Sequence, residues 1–340
     1  VPDDLTVLRS VRSDVDTVPP EVVDAALHRA RQRMSTGPAT TPVRRPRVRP
    51  AFVATAAVVG AAALIGTGVG VTHLTAPDTA AAATLHDAAR AAATTAERPG
   101  SYTRVTAREL ALAYASSDGV HYDEGYLSPT TTVTWVPREI TGTWTQESWS
   151  GAATAFYGGE AARAAASEDY ASEAHRDDPV RDRAAGGEFG NGELGGTPAG
   201  TLTAADIAGL PRDPEALVRR IEAAPRAKGA TDAEHVFDTL GQFLRTGLVP
   251  ADLRATMFDA LASLPGIVVT DDQASLDGRR GTAIGLADRS GAERRELIVD
   301  RATGDYLGER TLQTRRNGSI PAGAVIDSVS VTTAQVASVP

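Results

Sequence analysis

The chain reads as an α+β protein: one transmembrane helix followed by an extracytoplasmic antiparallel β-sheet, half-barrel-like, with a packed helical insertion. Three observations predict this. Residues 51–72 run without a single charge. Between 213 and 265, three helix signatures follow one another. From 266 onward, alternating apolar residues separated by turn residues describe an antiparallel meander.

Composition bounds the chemistry. The 340 residues are 42% hydrophobic and 23% charged, with a net charge of −9, which is ordinary for a globular chain. Of the 34 basic residues only Lys228 is lysine. The absence of cysteine excludes disulfides, thiolate nucleophiles, Cys-ligated zinc and iron–sulfur sites. The six histidines (His28, His73, His86, His121, His175, His235) include no pair at three- or four-residue spacing. No metal, cofactor-binding or catalytic residue is singled out on these grounds, and no cofactor is expected.

The uncharged run is long enough for a membrane. As a helix, residues 51–72 would span about 33 Å against a hydrocarbon core of roughly 30 Å. Phe52, Val53, Val58, Val59, Leu64, Ile65, Val69 and Val71 favour insertion by roughly 2–5 kcal/mol, less a cost for the glycines. A signal peptide would have a shorter apolar run and far fewer residues before it, although the Ala-rich stretch after the run offers a small-residue cleavage site. A buried core helix would rarely be free of polar anchors with Arg44, Arg45, Arg47 and Arg49 at one end. Those arginines place the N-terminus in the cytoplasm and the C-terminal domain outside the cell, at the cell membrane. Residues 1–50 carry nine Arg against six Asp/Glu, net +3, and residues 73–340 carry 25 basic against 37 acidic, net −12. The acidic outer part argues against nucleic acid as a partner. Ala62, Gly66 and Gly70 offer a small-residue face for helix association.

Four segments follow: a cytoplasmic tail and Pro/Arg linker (1–50), the span (51–72), an Ala-rich linker or helix (73–100) and an extracytoplasmic α+β domain (101–338). In the tail, Leu5, Leu8, Val22, Val23 and Leu27 mark two short amphipathic helices, and residues 35–50 carry four prolines. Beyond the span, residues 84–96 favour a helix by propensity. Residues 102–110 and 130–149 are rich in Thr, Val and Trp and predict strands, with Trp135, Trp144 and Trp149 as cross-strand packing groups or a ligand wall. Seven glycines in 185–200 lack any phosphate-loop spacing and predict a loop.

The helical insertion is punctuated explicitly. Asp213-Pro214 opens one helix, Thr231 and Glu234 form a capping box for the next, and Pro265-Gly266 stops a third. His235 and Met257 read as packing residues of these helices. In the meander, Asp277-Gly278 is a hairpin turn and Thr303-Gly304 another. Asp271, Asp272, Asp277, Asp288, Asp300 and Asp305 sit beside turns, where Asp is favoured locally, and no calcium-loop pattern is present.

Three patterns, GLPRDPEALVRRIEA (209–223), DAEHVFDTLGQFLRTGLVPADLRATMFDALASLPGI (232–267) and ELIVDRATGDYLGERT (296–311), resemble an uncharacterised actinobacterial family of single-pass membrane proteins. Its genes often lie beside those of extracytoplasmic-function sigma factors. The resemblance implies an outer domain similar to the half-barrels of lipoprotein carriers and of periplasmic sigma regulators, which bind acyl chains or lipoprotein tails. The short inner segment departs from anti-sigma factors in lacking a His/Cys zinc pattern.

The expected function is a non-enzymatic, membrane-anchored sensing or regulatory protein linked to sigma-factor signalling. Its expected partners are membrane lipid, a cytoplasmic regulatory protein and an acyl or lipoprotein ligand. The alternative is an envelope lipid or lipoprotein carrier or scaffold; an extracytoplasmic hydrolase stands behind both.

Overall fold

A computed structural model describes residues 78–95, 100–116, 122–172, 178–187, 189, 204–227, 229–287 and 291–340. The chain divides into two units, 1–67 and 68–340. The amphipathic tail helices, the Pro/Arg linker and the apolar run 51–72, with its Ala62, Gly66 and Gly70 face, lie outside the described residues.

The first described helix, α1 (Thr79–Thr94), starts five residues before the expected Thr84, because Asp78 caps it. The Asp78 carboxylate accepts from the backbone N–H groups of Ala80, at 2.6 Å, and Ala81, at 3.3 Å. Ala81, Leu85, Ala88, Ala89 and Ala92 form its buried face. The Ala-rich segment is thus a core helix whose small side chains let a neighbouring backbone come close.

Two long strands follow, β1 (Tyr102–Ala115) and β2 (Glu124–Pro137), antiparallel along their whole length. β3 (Thr143–Ser150) pairs with one half of β2, and the short β4 (Ala155–Tyr157) pairs with the other. A helix, α2 (Glu160–Ser172), leads to β5 (Val180–Ala185) on the far side of β3. The sequence assigned no element over residues 155–172, since α2 buries only Ala162 and Ala166 and shows no apolar period.

The helical insertion comprises α3 (Ala204–Ala208), α4 (Pro214–Glu222), α5 (Asp232–Arg245) and α6 (Ala251–Ala262). The capping box forms: the Thr231 hydroxyl accepts from Glu234 N–H at 3.2 Å, and the Glu234 carboxylate accepts from Thr231 N–H at 2.6 Å. The meander follows as β6 (Val268–Leu276), β7 (Arg279–Ala287), β8 (Glu293–Asp300), β9 (Asp305–Gln313) and β10 (Val325–Val336). Asp277 and Gly278 both take positive φ, 49° and 75°, as a two-residue hairpin turn requires.

All ten strands join one antiparallel sheet in the order β5-β3-β2-β1-β10-β9-β8-β7-β6, with β4 on β2. The main core lies between one face of the sheet and helices α1 and α3 to α6. It runs from Leu85 through Leu240, Met257 and Phe258 to Ile284, Leu297, Val299 and Val329. On the opposite face Leu276, Ala283, Ile298 and Leu307 make a smaller cluster beneath the β6–β7 hairpin.

Two expectations are corrected here. The sheet is open, with β5 and β6 as its two edges, so the architecture is a mixed α+β fold and not a half-barrel. Among the described residues, no helix is long and apolar enough to cross a membrane. The single-pass transmembrane topology, with a cytoplasmic N-terminus and an extracellular C-terminal domain, is therefore not supported by the described residues. The membrane-anchored sensing and sigma-factor role depended on signalling through that span and is not supported either.

One contact tests the packing of the helical layer. Gly304, at φ 70°, closes the β8–β9 turn against α1, where an added Cβ would collide with the backbone of Ala88 and Ala92. Strain at positive φ and backbone overpacking add. Gly304→Ala should lower stability by about 2–4 kcal/mol in urea denaturation. A loss below the scatter of replicate midpoints would show that the turn is not wedged against the helix.

Candidate binding cleft

The pairing of β9 with β10 stops at Gly308–Ser330, while β10 continues beside β1 as far as Val336. The cause is local. β9 carries a register shift against β8 at this level, Ile298 facing Gly308 and Val299 facing Tyr306, so Leu307 is the extra residue of a bulge. Leu307 and Val331 would be the next opposed pair in the β9–β10 ladder. Instead, Arg279 Nη2 reaches between the strands and donates to both their carbonyls, at 2.8 Å each.

A cleft of ≈ 750 Å³ opens at this parting. One side is formed by Tyr306 of β9 and by Val331 and Thr333 of β10. Another is the α5–α6 connection, residues 247–250, with Leu244 behind it. Ile207 and Ala208 of α3, together with Val136 and Pro137 at the end of β2 and Ile140 just beyond it, complete the apolar part. Ile140 stands 39% exposed at the rim. The volume falls in the range of small-molecule sites, and its lining mixes apolar side chains with a nearly equal polar surface from arginines, threonines, Asp305 and Gln335.

The ionisable groups lining the cleft are Arg138, Arg212, Arg254, Arg279, Asp305 and Tyr306. Arg212 is tied down by Asp252 at 3.2 Å and by the carbonyl of Leu210 at 2.8 Å. Arg254, only 17% exposed, donates to the carbonyl of Gly304 at 2.8 Å and lies 3.7 Å from Asp305. Burial pulls the pKa of Arg279 below the ordinary arginine value, with Asp277 and Asp305 opposing. Four guanidiniums against one carboxylate leave the lining at net +3, in a chain whose net charge is −9.

A charged layer lies beneath α5, beside the cleft. Arg245 pairs with Glu309 at 2.6 Å and lies 4.0 Å from Asp327. Tyr306 donates to Glu309 at 3.1 Å, and burial first, then Glu309, pushes the phenol pKa well up. The Arg245 Nε is buried without a partner. Asp238 of the same helix pairs with Arg295 on β8. Gly241 makes room for this layer, since a Cβ there would come within 3.2 Å of the Glu309 carboxylate.

The residues that sequence reasoning weighed fall mostly outside the cleft. Trp144 is buried against Val136 and Phe189 and donates Nε1–H to the Ile140 carbonyl at 2.7 Å, a packing role. Gly187, from the glycine-rich stretch, lies on the Trp144 ring, where a Cβ would come within 2.6 Å. His235 bonds the Ile221 carbonyl at 2.9 Å, and His86 pairs with Asp259 at 2.8 Å. Asp300 accepts from the backbone N–H two residues on, as a turn aspartate does, whereas Asp271 lies within β6, where it accepts from the Gln273 N–H at an irregularity of the strand and pairs with Arg310 at 3.1 Å. Among the described residues, no group of three or more His, Asp or Glu is placed to hold a metal ion. The four cleft arginines share no spacing, and only the fold brings them together. The chain matches no known protein family, no curated protein and no solved structure, so these comparisons place nothing beside the resemblance drawn from the three local patterns.

The layer beneath α5 carries a measurable pH signature. Burial raises the pKa of Asp327 above the ordinary carboxylate value against the pull of Arg245, and Glu309 adds to the rise. A carboxyl with a raised folded pKa stabilises below its unfolded pKa, and that contribution is lost as pH rises through the folded value. Asp327→Asn should thus raise the urea midpoint at pH 7, with the gain shrinking to nothing below about pH 4. A gain independent of pH, or a loss at pH 7, would contradict this assignment.

Proposed function

We propose that the chain is a binding protein without catalytic chemistry, a carrier or scaffold that holds a lipid or the acylated end of a lipoprotein in the cleft between β9 and β10. The observation that carries this reading is the cleft itself. It is ≈ 750 Å³ in volume, walled by Leu244, Leu248, Val249, Ile207 and Ile140, and open at a rim where Ile140 meets solvent. Apolar side chains lining a preformed opening favour ligands with apolar area to bury, at roughly 25 cal/mol per Å² before the costs of association.

The ionisable lining supports binding over turnover. Acid–base catalysis pairs a group that gives a proton with one that takes it near the working pH. Guanidiniums remain protonated, and Asp305 is the one carboxylate in the lining. The lining thus favours recognition of a fixed charge.

Mass spectrometry of a solvent extract of the purified full chain tests the reading, with uptake of the neutral probe N-phenyl-1-naphthylamine as a second measurement. About one acyl-chain molecule per chain is expected. Ala208→Trp narrows the cleft from an exposed position and should weaken probe binding roughly tenfold, about 1.4 kcal/mol. An extract free of lipid, together with no probe binding by the extracted protein, would refute the carrier reading.

A further inference from the structure

The carrier reading leaves the head of the ligand open, and the cleft's charge answers it. We infer that the ligand is an anionic amphiphile: a single apolar chain ending in a carboxylate or a phosphate, with the head held at Arg138 and Arg254. This inference rests on the carrier reading and adds the ligand's charge and polarity.

The arginines do not all serve the same end. Arg279 closes the broken β9–β10 ladder by binding two carbonyls, and Arg212 is held by Asp252 and the carbonyls of the α3–α4 turn. These two have structural work. Arg254 is anchored on one side by the Gly304 carbonyl, which fixes its planar group at the cleft wall. Arg138 is exposed, on the turn that also carries Ile140, so charge and apolar surface meet at the mouth. A guanidinium presents several N–H donors in one plane and matches a carboxylate or phosphate in two-point geometry.

Placement sets the polarity. Leu244 and Val249 are buried in the main core, whereas Arg138 and Ile140 stand in solvent. A chain lying along the α5–α6 connection has its apolar end toward the core and its head at the rim. Asp305, 3.7 Å from Arg254, opposes an anion there and tunes its affinity downward.

Titration of the full chain, stripped of copurified lipid, with dodecanoate, dodecyl phosphate, dodecan-1-ol and inorganic phosphate separates the possibilities. Both anionic amphiphiles should bind at least tenfold tighter than the alcohol at low salt, and the margin should shrink as salt rises. The stronger of the two anions distinguishes a fatty acid from a phosphorylated lipid as the source. Arg138→Gln, at an exposed position, should weaken binding of both anions several-fold more than binding of the alcohol. Asp305→Asn should increase that preference, a gain that a merely structural role for the carboxylate would not produce. Equal binding of alcohol and anions would overturn this inference and leave the carrier reading standing. Inorganic phosphate binding as tightly as dodecyl phosphate would overturn it too, since the chain would then contribute nothing. No binding of any amphiphile would end both readings together.

Discussion

The parting of β9 from β10 is the constraint on which the cleft depends. A sheet of antiparallel strands holds together by exchanging N–H and carbonyl bonds along every neighbour, and an interrupted ladder leaves carbonyls that must find donors. Here the interruption is built from one extra residue, Leu307, and from Gly308 at φ 144° beside it. Gly308 lies so close to β10 that a Cβ would run into the Val329 carbonyl, so only glycine fits. Past that point β9 stays with β8, β10 stays with β1, and Arg279 supplies the donor that the missing ladder would have provided. The opening is thus a property of the sheet, and the side chains around it inherit their positions from it.

The helical layer determines what fills the opening. Helix α1 presents alanines to α6, and Gly304 tucks under it, so the helices sit low on β6 to β10 and fill that half of the face. Glycine within α5 has a comparable use: Gly241 accepts the usual helix-propensity cost of about 1 kcal/mol, and in return Glu309 fits beneath the helix with Arg245 and Tyr306. That ion pair is largely walled off from solvent, and its members come from α5 and β9, so it ties the helical layer to the very strand that leaves β10. A rigid α5 in turn positions the connection to α6, which forms one wall of the cleft.

Much of the fold was legible wherever a structural need is met within a few residues. The Asp213-Pro214 start, the Thr231–Glu234 box and the Asp277-Gly278 turn each satisfy backbone groups or dihedral angles locally, and each forms as read. The start of α1 was not legible, because an alanine run has no apolar period and Asp78 looked like one more linker residue. Closure of the sheet was not legible either: alternation marks strands but says nothing about whether β5 and β6 meet. The apolar run 51–72 is conspicuous as composition and lies outside the described residues. For the cleft, sequence held almost no signal. Arg138, Arg212, Arg254 and Arg279 lie at irregular distances along the chain, and their convergence follows from which strand stops pairing with which.

The charge of the cleft is opposite in sign to the charge of the chain. A chain at −9 repels anions at long range, and salt screens that repulsion within about 10 Å. Inside a cleft with apolar walls, a small excess of guanidiniums acts at short range, where water screens less. The two regimes therefore select differently. A soluble anion gains little from the cleft, because it surrenders its hydration for contacts with arginines already engaged by Asp252, Asp305 or backbone carbonyls. An amphiphile gains from both parts, since burying its chain offsets the desolvation of its head. Arginines alone at the protein surface would select for charge, and an apolar hollow alone would select for chain length. Their meeting at one opening selects for molecules that have both.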